Sequence, residues 1–221
     1  MSARGSALVT RQAPPDRDAL VVVAEQPDVP GWVVDWCRRA GRAVQLQPAA
    51  GTAEDCIGIV VAMAGRTVLV ERSVLVERSA PVHQARGRRP RVVAAVRDLR
   101  TDGSVLAEAT AAAEQLDAAL VLAHGVPLSF GERSVGLAEA VARGRRVLAE
   151  AAARVMATHP GRTVTTRLLR MRPYELVGEG VDADLLVLGG LRRRIPARLG
   201  LVACSALQHA PCPVLLTPRP A

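Results

Sequence analysis

The chain has 221 residues, enough for one large domain or two small ones, each able to bury a core. An apolar content of 49% excludes a disordered chain, and an aromatic content of 2% excludes ring stacking as a major binding mode, so any core must be built from Val, Leu and Ala. The net charge of +8 raises nucleic acid as a partner, but every basic residue is Arg and neither Lys nor Asn occurs, which points to a GC-rich codon supply as one source of the charge.

Residues 1–18 are polar and Pro-containing and read as a flexible leader, without the apolar stretch of a secretory signal. Residues 20–24 form a short apolar run typical of a buried strand. Residues 30–39 place Trp32, Val33, Trp36 and Cys37 at helical spacing, and Gly41 ends that helix. Residues 43–46 are a second strand candidate, 52–56 fit one turn of helix, and the Ile- and Val-rich run 57–63 predicts a strand. Residues 68–73 read VLVERS and 74–79 repeat it. A six-residue tandem copy is too short for a repeat architecture, and its Val content favours strand over a helix that would be apolar nearly all round. The apolar stretch 57–64 is far too short to span a bilayer, so the chain is expected in the cytoplasm with no membrane partner.

Residues 80–90 hold Pro81, Gly87, Pro90 and the cluster Arg86, Arg88, Arg89, which is linker composition. The expected organisation is therefore a leader at 1–18, a truncated α/β half at 19–82, a linker at 83–90 and a second domain at 91–221. The second half has a cleaner rhythm. Residues 91–96 predict a strand, Asp102 and Ser104 can cap a helix running to about Leu116, and 118–123 predict the next strand. A long helix over 134–158 carries Leu148, Ala152 and Val155 on one face, with Glu139–Arg143 and Glu150–Arg154 four apart outside it. Residues 163–168 alternate as a strand, Pro173 begins a short helix, 185–188 predict a strand, about 197–208 the last helix, and 213–216 the last strand. Alternating β and α units imply a parallel sheet, here of five strands, with helices on both faces. In such sheets ligands bind beyond the carboxyl ends of the strands, which directs attention to 97–104, 124–127 and 189–201.

The run from Ala183 to Gly189, then Gly200, then His209-Ala210-Pro211-Cys212-Pro213-Val214-Leu215-Leu216, resembles the carboxyl end of universal stress proteins. The resemblance extends back to Val92 and covers roughly 91–217. It implies an adenine-nucleotide hydrolase-like α/β fold, dimerisation, and either an ATP-binding or a non-binding type. The binding type carries G-x-x-G-x9-G-[ST], in which glycines let backbone N–H groups approach phosphates and the hydroxyl donates to one; an Asp ends its first strand. Here the candidate nucleotide-binding positions are Arg97, Asp98, Gly189, Gly190, Arg192, Gly200 and Leu201. They depart from that pattern. Counted from Gly189 the second glycine position is Arg192 and the loop is two residues short; counted back from Gly200, Gly190 fits but the first position is Val187. Leu201 stands where the hydroxyl belongs, and Arg97, followed by Asp98, where the Asp belongs.

The first half resembles the same fold faintly, through its strand–helix–strand order and Ser79-Ala80-Pro81-Val82, and reads as a degenerate partner copy. No nucleophile elbow, P-loop, H-E-x-x-H or paired Cys/His ligand set occurs. Cys37, Cys56, Cys204 and Cys212 form no C-x-x-C pair and read as buried thiols. His124 and His209 read as packed or satisfied residues. The expectation is a non-enzymatic regulatory or interaction protein of universal-stress type that does not bind ATP and needs neither cofactor nor metal. It would be a homodimer or an intramolecular pseudo-dimer acting on a protein partner. The rivals are a nucleotide sensor using the loop Arg192-Arg193-Arg194, an enzyme of the wider adenine-nucleotide hydrolase-like superfamily, for which no motif speaks, and a non-specific nucleic-acid binder.

Overall fold

The Val- and Leu-rich runs become strands buried on both faces, as parallel sheets require. The computed structural model describes residues 19–25, 29–49, 52–63, 65–71, 89–126, 135–178, 181–190 and 199–218. In chain order the elements are β1 (Leu20–Ala24), α1 (Gly31–Arg39), β2 (Val44–Pro48), α2 (Ala53–Ala62), β3 (Thr67–Val70), β4 (Arg91–Ala95) and α3 (Gly103–Gln115). There follow β5 (Ala119–Gly125), α4 (Val135–Thr158), β6 (Val164–Leu169), α5 (Pro173–Leu176), β7 (Leu185–Gly189), α6 (Leu201–His209) and β8 (Val214–Thr217).

All eight strands join one sheet in the order β2-β1-β3-β8-β7-β4-β5-β6. The expected five-stranded sheet is the right-hand part of it, β8-β7-β4-β5-β6, with β4 central as its Val content requires. The first half contributes three further strands, so the sheet is wider than expected. Every neighbouring pair is parallel except β3 and β8, which run antiparallel with Val68 opposite Leu216 and Val70 opposite Val214. The closing strand β8 is thus covered by the chain's own first half, and the strands of the two halves point to opposite edges of the sheet.

Two cores lie on the two faces. Along β1, Leu20, Val22 and Ala24 enter one, with α1, α3 and α4; Val21 and Val23 enter the other, with α2 and α6. Each fully buried Val or Leu contributes about 1.5–3 kcal/mol. Across the first face an ion pair joins the halves: Arg42 Nη1 donates to both carboxylate oxygens of Glu108 on α3, at 2.8 and 2.9 Å, and Thr67 Oγ1 lies 3.3 Å from the same carboxylate. Trp32 and Trp36 stack beside it, with the Arg42 guanidinium 5.8 Å from the Trp36 ring. Burial pushes the neighbouring Cys37 thiol up to about 11 against the lowering pull of Arg42, which keeps it protonated and inert.

Two sequence expectations fail here. Residues 57–63 are not a strand; most of them belong to α2. Thr52 accepts the Asp55 N–H at 3.1 Å and Glu54 and Asp55 sit in the first turn, so the cap and dipole start a helix that the β-branched residues then continue. The third strand of the first half is instead Thr67–Val70, which runs into the first VLVERS copy. Asp102, expected to cap α3, makes no side-chain cap bond. The leader 1–18, the second VLVERS copy, the segment 79–82 and most of the linker lie outside the described residues.

Candidate functional site

β4, β5 and β7 are adjacent in the sheet, and their registers bring Ala95, Ala123 and Leu188 side by side. Beyond these carboxyl ends lies a cavity of about 500 Å3, closed laterally by α5 and the start of α6. This is within the usual range for a small-molecule site and at the place an open α/β sheet offers one.

The strand ends are held by specific bonds. Val96 N–H donates to Ala123 O at 2.9 Å, prolonging the β4–β5 ladder. Asp102, fully buried, turns its carboxylate back on the loop and accepts from the N–H groups of Arg97 (2.7 Å) and Asp98 (3.1 Å). It therefore fixes the exit of β4, and that is why it does not cap α3. His124, at the end of β5, donates from Nδ1 to Val96 O at 2.8 Å, and its ring lies against α4 at Gly144, where a Cβ would come within 2.8 Å of Cδ2. The expectation of a satisfied histidine holds for His124. Ser104 Oγ donates to Pro218 O (2.9 Å) and stands 3.2 Å from Thr217 Oγ1, tying α3 to the end of β8.

Five of the seven candidate positions meet at this cavity: Arg97, Gly189, Gly190, Gly200 and Leu201. Asp98 does not line it; its Oδ1 accepts the Arg100 N–H at 2.9 Å, an internal turn of the loop. Arg192 lies outside the described residues. Gly190 N–H donates to Thr217 O at 2.8 Å, so it already serves the β7–β8 ladder. A side chain there would press on Leu216 at 3.1 Å and Thr217 O at 3.3 Å, so glycine is kept by the approach of β8. Gly200 is the N-cap of α6 without a side-chain cap bond, and Leu201 at the first helical position is 67% exposed. Apart from Arg97 and His124, the described lining side chains are apolar, with Val96, Leu176, Leu188 and Ala203 among them. Arg97 is the one charged side chain among the described lining residues, and no ion-pair or hydrogen-bond partner is found for its guanidinium among them.

Sequence reasoning missed Pro173 and Leu176 as walls and Asp102 as the loop anchor. Only the proximity of α5 to β5 in space reveals the first two, whereas an Asp four residues after Asp98 could have been read as a loop-closing acceptor. Among the described residues no group of three or more His, Cys, Asp or Glu side chains could hold a metal ion, and no helix is long and apolar enough to cross a membrane.

The Universal stress protein family matches residues 89–218. No sequence among the curated proteins matches. A universal stress protein from Archaeoglobus fulgidus aligns with 58% of this chain and 93% of its own length at 24% identity and a TM-score of 0.47; another, from Burkholderia pseudomallei, covers 58% and 95% at 26% identity and 0.45. A further universal stress protein, from Archaeoglobus fulgidus DSM 4304, covers 86% of this chain and 67% of its own at 15% identity and 0.53, a likeness of fold across both halves.

Proposed function

This chain belongs to the universal stress protein family, and we propose that it serves there as a regulatory or interaction protein that does not bind ATP with micromolar affinity. The observation that carries this reading is the cradle at the cavity. The Gly190 N–H is spent on Thr217 O, Leu201 supplies no hydroxyl, and Arg97 replaces the strand-end carboxylate. A triphosphate needs several converging donors, and Gly190, the described residue at the exit of β7, has its N–H engaged with β8. The described residues thus do not fit that group.

The reading is non-catalytic and cytoplasmic. The pairing of β3 with β8 supports a monomer whose halves act as each other's partner, because the apolar closing edge is already covered. Nucleic-acid binding is disfavoured by the local use of charge: Arg38, Arg42, Arg89, Arg91 and Arg154 each pair with a carboxylate of the chain. The cavity itself supports one rival, a nucleotide sensor. Solved family members in complex with dAMP and with cAMP are among the structural matches. Mass spectrometry of the denatured purified chain separates the two: no released nucleotide is expected, and stoichiometric adenine nucleotide would favour the sensor.

A further inference from the structure

We infer that the cavity at the carboxyl ends of β4, β5 and β7 binds a small organic monoanion with a largely apolar body, its anionic group held by Arg97. The inference rests on the reading of this cavity as a site without a triphosphate cradle, and it names what the site takes instead.

Three features of the cavity support it. First, about 500 Å3 is room for a whole small molecule, and its inner walls are aliphatic side chains and glycines, which favour an apolar body. Second, its polar resources among the described residues are few and of one sign. Among the described lining residues there is no Asp or Glu, and His124 has its Nδ1 proton committed to Val96 O while its ring packs on α4. Arg97 remains, exposed and with no described partner, on a backbone pinned by the Asp102 carboxylate. A planar guanidinium with free N–H groups matches a carboxylate or a single phosphoryl or sulfonyl group through paired hydrogen bonds. Third, the first turn of α6 opens on the same space at Leu201, Val202 and Ala203, so its N–H groups reinforce the positive end without a second side chain. Among the described residues, one guanidinium and one helix end suit one anionic group. Exposed Leu201 at the first position of α6 then covers the apolar body instead of donating to a phosphate.

The test uses the full chain and two probes of equal shape, 2-naphthoate and its uncharged amide, followed by calorimetry and by amide chemical shifts. The expected result is submillimolar binding of the naphthoate, at least about tenfold weaker binding of the amide, and shifts confined to the strand ends and α6. Arg97→Met is expected to erase the preference while leaving weak binding of both. Ala203→Phe, which fills the cavity, is expected to lose both while retaining a cooperative unfolding transition. Equal binding of the two probes by the unaltered chain, a preference that survives Arg97→Met, or no binding of either would overturn the inference. An ATP arm separates the two levels. Micromolar ATP binding that displaces naphthoate defeats the underlying reading, whereas silence toward both ATP and naphthoate defeats only the inference.

Discussion

Two carboxylates show how single residues set the behaviour of this sheet. Asp102 is fully buried and accepts two backbone N–H groups at the exit of β4. Asp102→Ala would leave those donors without their acceptor in a closed loop, and the expected loss is about 3 kcal/mol in urea unfolding. A loss under about 0.5 kcal/mol, the level of an ordinary surface change, would mean the carboxylate is not an anchor. Glu71, just beyond β3, is held by its own backbone, whose N–H donates to Val23 O at 2.8 Å. Burial pushes its carboxyl up from 4.5 to about 7. The folded chain thus holds this proton more tightly than the unfolded chain. Its contribution is full below the unfolded value and is lost as pH rises toward 7. Glu71→Gln, which cannot ionise, should match the parent near pH 4.5 and exceed it in melting temperature above pH 7. A gap that is widest in acid would contradict the assignment.

At the scale of elements, close approach decides where glycine is required. In α4, a Cβ on Gly144 would lie 2.6 Å from Leu168 Cδ1 and 2.8 Å from His124 Cδ2, the latter in a ring fixed by its bond to Val96 O. Gly58 in α2 has nothing within 4 Å of such a Cβ. Glycine in a helix interior costs about 1 kcal/mol relative to Ala. Gly58→Ala should therefore stabilise the chain by about 0.5–1 kcal/mol, while Gly144→Ala should destabilise it despite the same propensity gain. Thermal unfolding of the two variants checks the contrast, and stabilisation of both would remove the packing role of Gly144. The second half was legible as elements because its apolar runs and breaks coincide: the sequence places β4, β5 and β7 within two residues of their observed limits. The first half was less legible. Ile57, Ile59, Val60 and Val61 carry strand propensity, but the Thr52 cap and the position of the segment against the second core override it.

At the scale of the molecule, the chain completes within itself a sheet that its second half would otherwise leave with an apolar edge. The antiparallel joint between β3 and β8, the two apolar cores shared by both halves and the Arg42–Glu108 pair make it one body. A double-mutant cycle on Arg42→Met and Glu108→Gln should give a coupling of about 1–2 kcal/mol, above that of exposed pairs, because both side chains are only about 20% exposed or less. A coupling near zero would leave the joint to the strands and the shared apolar cores. Intramolecular pairing was one of two assemblies the sequence allowed; apolar β8 announced that something must cover it, but not that Thr67–Val70 would. The candidate site was legible in part. Gly189, Gly190, Gly200, Leu201 and Arg97 do share one cavity, since all end or follow strands of a parallel sheet or open the last helix. The commitment of Gly190 N–H to Thr217 was not legible, because it depends on a strand pairing that no local pattern encodes.

ATP titration of the full chain by calorimetry at physiological salt tests most directly whether this cavity holds a triphosphate. Micromolar affinity requires about 8 kcal/mol of net binding free energy, and each charge-assisted contact contributes roughly 1.5–3 kcal/mol. With the Gly190 donor engaged, the hydroxyl replaced by Leu201 and the strand-end carboxylate replaced by Arg97, several such contacts are gone. The expected result is no saturable heat below millimolar ATP. A micromolar dissociation constant, lost on Arg193→Ala with Arg194→Ala, would contradict the account and identify the chain as a nucleotide sensor.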